Sequence, residues 1–66
     1  MTTTMKRRAH PLFVYAVEMA TALAYAFTRP DIAEDCARYA LGVAEELGRP
    51  DLAYQANELL SIVVTN

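Results

Sequence analysis

Apolar positions recur along this chain at helical spacing in three stretches, residues 11–27, 30–47 and 51–64. In the last of them Leu52, Ala56, Leu59, Leu60 and Val63 fall on one side of a helical wheel, and Tyr54, Asn57, Glu58 and Ser61 on the other. The middle stretch gathers Asp31, Glu34, Asp35, Arg38, Glu45 and Glu46 within roughly 120° of one another. Ile32, Ala33, Cys36, Ala37, Ala40, Val43, Ala44 and Leu47 then fill an apolar arc about 200° wide, which covers two neighbours rather than one. Gly42 falls on the polar side, where it lowers helix propensity without costing any packing.

The first stretch differs from the other two. Leu12, Ala16, Met19, Ala20, Leu23 and Phe27 form a strong face, but the back, with Val14, Glu18, Thr21 and Tyr25, is hardly polar. Between Leu12 and Phe27 only Glu18 and Thr21 are not apolar. A helix that is hydrophobic on nearly all sides is a buried helix. Two short companions do not surround it, so the pattern predicts that this helix is central or lies at an interface.

Pro11, Pro30 and Pro50 open the three stretches, where a proline's missing N–H would be unpaired in any case. Thr28-Arg29-Pro30-Asp31 and Gly48-Arg49-Pro50-Asp51 are near copies, and Arg29-Pro30-Asp31-Ile32-Ala33 recurs as Arg49-Pro50-Asp51-Leu52-Ala53. The repetition predicts two helix starts of one kind, each offering a cap and an acid at the positive helix end. The connections are about three residues long, which makes consecutive helices antiparallel. The expected fold is all-α: three short helices running up-down-up in one domain, residues 1–66, completed by oligomerisation. Residues 1–9 are expected to form a flexible basic arm ahead of it.

Size and composition sharpen the case for a partner. A chain of 66 residues hides only ~60% of the surface it exposes when unfolded. Domains this small usually add disulfides, a metal or another chain. The single cysteine, Cys36, permits no internal bridge, and one cysteine with one histidine is too few for a zinc site. Twelve alanines against two glycines favour helix, and 55% hydrophobic content excludes a disordered chain.

The net charge of −2 is unevenly spread: Lys6, Arg7 and Arg8 make the start basic, and eight acids against three arginines make the rest acidic. Met5-Lys6-Arg7-Arg8, the apolar run and Ala24-Tyr25-Ala26 have the outline of a secretory signal. Glu18 interrupts that run, and residues 12–27 fall short of the ~20 that a membrane span needs. With one unpaired cysteine, the expectation is a cytoplasmic protein without a membrane role.

Candidate chemistry is sparse. His10 has no nearby carboxylate to tune it for acid–base work. Cys36 sits in the apolar arc, and the charges around it, Glu34, Asp35 and Arg38, do not favour a thiolate. The acidic pairs of the second helix read as a solvated face, and no glycine-rich loop is present to cradle phosphate. No catalytic residue, metal ligand or cofactor site is therefore assigned, and the chain is not expected to be an enzyme.

What remains is recognition of protein. Tyrosine combines contact area with a polar tip. Val14, Tyr15, Glu18, Thr21, Tyr25 and Tyr54 are the expected interface residues, toward a second copy or another protein in a heterocomplex. An alternative is a dimeric nucleic-acid-associated regulator using Lys6, Arg7 and Arg8, whose binding would weaken steeply with salt. A further one is an accessory subunit of a larger complex. The acidic second helix weighs against nucleic acid.

Leu41-Gly42-x-Ala44-x-x-Leu47-Gly48-Arg49-x-Asp51-x-Ala53, followed by Leu59-Leu60, resembles a tetratricopeptide-type helical hairpin over about residues 41–60. The turn is one residue shorter than in that family, the aromatic positions are unmatched, and no 34-residue period is present. The resemblance implies close helix packing at the Leu-Gly pair, and binding of protein or peptide rather than catalysis. Independently of it, the expected role is that of a non-enzymatic interaction module, an adaptor, chaperone or regulator such as an anti-activator.

Overall fold

The structure, a computed structural model, describes residues 10–65. It contains α1 (Pro11–Tyr25), α2 (Pro30–Glu46) and α3 (Pro50–Thr65), with no strand among the described residues. The all-α expectation holds. Four boundaries move: α1 stops at Tyr25 and passes into a turn over residues 26–28, α2 stops one residue early, and α3 begins at Pro50 and runs one residue further.

The helix ends show why the chain breaks where it does. His10 caps α1, its Nδ1 accepting from the Leu12 N–H at 3.1 Å. At the start of α2, Arg29 forks onto Asp31 through Nε and Nη2, at 3.3 and 3.1 Å. Arg49 repeats the fork on Asp51 at 3.1 and 2.9 Å, so the copied sequence is also a copied structure. Both carboxyls are held below the ordinary range, first by the arginine hydrogen bond and also by backbone N–H groups at the helix start. α2 ends in a Schellman turn: the Gly48 N–H donates to Glu45 O and the Arg49 N–H to Ala44 O, both at 3.0 Å. Gly48 sits at φ 68°, a conformation open to glycine at no steric cost.

Two clusters give the packing order. Ala22 of α1 and Ala26, just past its end, meet Ala33 and Ala37 of α2 and Leu59 and Val63 of α3. Tyr15 meets Ala40, Ala44 and Ala56. The end of α1 thus lies by the start of α2 and the end of α3, which is the up-down-up arrangement. α2 packs along both other helices, whereas α1 and α3 make little contact with each other. The Cα trace is only 12 Å through its shortest dimension, close to one helix layer. The central helix is therefore α2 and not α1: the wide alanine arc of α2 accepts a neighbour on each flank.

The core is unusual in its materials. Of the ten buried apolar residues described, seven are alanines, and none of the larger side chains is fully buried. Alanine faces let helix axes approach closely, but each buried methyl-sized group contributes only about 0.8 kcal/mol. Most of the large apolar side chains of α1 are elsewhere.

Candidate protein-binding surface

α1 is turned the opposite way from its expected orientation. Tyr15, Ala22 and Ala26 are buried, with Met19 packed beside them. Leu12, Phe13, Val17, Leu23 and Phe27 are exposed, and the exposed Ala16, Ala20 and Ala24 lie between them. Phe27 is 79% exposed, Phe13 64% and Leu23 61%. These positions share one face about 140° wide with no polar or charged side chain on it. Of the strong face read from the sequence, only Met19 turns toward the core; Leu12, Ala16, Ala20, Leu23 and Phe27 face outward.

Complementarity to α2 explains the choice. The inner surface of α2 is built from Ala33, Ala37, Ala40 and Ala44. Ala22 and Ala26 can lie directly against such a surface, whereas phenylalanine there would hold the axes apart. Tyr15 adds a specific tether, its hydroxyl donating to the Leu52 carbonyl of α3 at 2.8 Å. Burial, and then Asp51, push the Tyr15 phenol above its ordinary pKa.

The expected interface residues are scattered by this rotation. Tyr15 is in the core, where its hydroxyl is engaged within the chain. Val14, Glu18 and Thr21 are half-buried on the flanks, and the Thr21 hydroxyl donates to Val17 O at 2.8 Å. Tyr25 is exposed at the end of α1, off the apolar face, and Tyr54 is exposed on the far side, on α3. Glu58, one turn on, raises the Tyr54 phenol's pKa. Lys6, Arg7 and Arg8 lie outside the described residues. Sequence reading passed over Phe13, Val17 and Ala24 as surface positions. The signal was there: residues 13, 17, 20, 24 and 27 alternate in steps of four and three, the spacing of a helix–helix seam.

Away from α1, Tyr39 of α2 and Tyr54, Ile62 and Val64 of α3 are also exposed. Cys36 is half-buried, and its thiol is pushed up by burial first and then by the Glu18 carboxylate it faces across the α1–α2 contact. Open concavities among the described residues include one of about 400 Å³ along the outer side of α3 and one of about 310 Å³ at the α2–α3 turn. Among the described residues no three His, Cys, Asp or Glu side chains gather as a metal site. No described helix is long and apolar enough to cross a membrane. Nothing lies within 4 Å of where a Cβ would stand on Gly42, so the close approach here is made by the alanines. Comparison with protein-family models, curated proteins and solved structures gives no match.

Proposed function

We propose that this chain is a non-enzymatic helical protein-interaction module, an adaptor, chaperone or regulator, whose working part is the outer face of α1. The observation that carries this is the unbroken apolar face from Leu12 to Phe27, left in solvent by a fold whose own core is mostly alanine. Taking roughly 200 Å² for a whole aromatic side chain and somewhat less for leucine or valine, the five large side chains expose on the order of 500 Å². An apolar patch of that size matches the largest that soluble monomers expose, and such patches are often functional. The likeness of residues 41–60 to a tetratricopeptide hairpin, which lies in the sequence and does not extend to close packing at Gly42, implies recognition of protein or peptide. The unpaired Cys36 suits a reducing compartment such as the cytoplasm.

The test is the mass of the intact complex purified under native conditions, beside the Leu23→Glu variant. The wild-type chain is expected to emerge bound to protein, a second copy or another chain. Leu23→Glu is expected to emerge free with unchanged helical content. Recovery of the wild type as a free, fully folded monomer, as stable as Leu23→Glu, would overturn the proposal.

A further inference from the structure

We infer that the occupant of the α1 face is a second copy of this chain, with the two α1 helices crossing antiparallel about a two-fold axis near Ala20. This rests on the docking role proposed above and adds the partner's identity and orientation.

The face reads nearly the same from either end. Counting outward from Ala20, Val17 and Leu23 stand three residues away, Ala16 and Ala24 four, and Phe13 and Phe27 seven. A closed two-fold interface requires such self-complementarity, because each residue must meet its counterpart across the axis. Antiparallel pairing sets Phe13 against the partner's Phe27, Val17 against the partner's Leu23 and Ala16 against the partner's Ala24. Small residues then occupy the centre, where the axes come closest, and aromatic rings close both ends.

Charge favours the same arrangement. Glu18 is the only acidic or basic side chain of α1, and it faces Cys36 across the intramolecular contact, so a second copy brings no like charge to the seam. In a parallel pair, Lys6, Arg7 and Arg8 of both chains would precede helix starts lying side by side, with like helix ends adjacent as well. The antiparallel pair instead sets each α1 start beside the C-terminal end of the other α1, so that unlike helix ends are adjacent.

Area is adequate for a small dimer. The large side chains alone supply on the order of 500 Å² per chain, and the intervening alanines and the flanks add to it, against about 800 Å² per partner in an interface of standard size. Residues 1–9 are a poor alternative cover, with Met1 and Met5 set among threonines and basic side chains.

The experiment uses the purified chain alone. Sedimentation equilibrium up to about 100 μM should give twice the chain mass, and Leu23→Glu should return it to one chain with the same helical circular dichroism. In a Cys36→Ser background, Ala16→Cys and Ala24→Cys are then oxidised mildly, separately and mixed. Antiparallel pairing predicts a mixed disulfide and little self-linking, because like positions lie about 12 Å apart along the axis, beyond the ~7 Å Cα reach of a disulfide. Efficient self-linking of each variant would overturn the orientation. A dimer indifferent to Leu23→Glu would overturn the choice of face. A folded monomer at every concentration would overturn self-pairing while leaving the broader docking role to its own test with native partners.

Discussion

Replacing Tyr15 with phenylalanine separates a core tether from a contact residue. The ring stays, so the packing against Ala40, Ala44 and Ala56 is retained, and what goes is the hydroxyl's donation to Leu52 O at 2.8 Å. A single internal hydrogen bond is worth about 0.5–1.5 kcal/mol net, and a carbonyl left inside a helix keeps its backbone partner, so about 1 kcal/mol is expected. In a domain this small that lowers Tm by about 4–8 °C. The measurement is urea and thermal unfolding by circular dichroism, made in the Leu23→Glu background so that association adds nothing. There is also a pH signature. The folded phenol's pKa is raised, so the stability tied to its proton is complete below the ordinary tyrosine pKa of about 10 and is lost as pH rises toward the folded value. Tyr15→Phe should flatten that alkaline limb. A variant as stable as its parent at neutral pH, with the limb unchanged, would refute the tether.

Other substitutions test the frame. Gly48→Ala forces a side chain into φ 68° and should cost about 1 kcal/mol by chemical denaturation, whereas Gly42→Ala, with open space around it, should add about 0.5–1 kcal/mol. Ala37→Leu, at a fully buried helix contact, should lose about 1–3 kcal/mol or fail to fold, because alanine sets the approach of the helices. Asp31 and Asp51 have lowered pKa values, so their contribution is present above the ordinary carboxyl pKa of about 3.9 and lost as pH falls through the folded values. Asp31→Asn with Asp51→Asn should flatten acid unfolding below about pH 4, and the change should be small because both pairs are exposed.

Much of this molecule was determined locally and could be read from the chain. The three prolines, the duplicated Arg-Pro-Asp start and Gly48 act through neighbours only a few residues away, so helix number, order and limits to within two residues followed from sequence. The surplus of apolar surface in α1 was equally legible, because it is a matter of composition: so few polar residues cannot clothe an exposed helix.

Which side of α1 turns inward was decided only by tertiary packing. A wheel ranks faces by hydrophobicity, and both sides of α1 are apolar. Close fit selects between them, and that depends on what the neighbour presents. α2 presents alanines, so Ala22 and Ala26 went in with Tyr15, and Phe13, Leu23 and Phe27 stayed out. The central place of α2 has the same origin: a broad strip of small side chains admits a helix on each flank, whereas bulk on α1 keeps its outer face free.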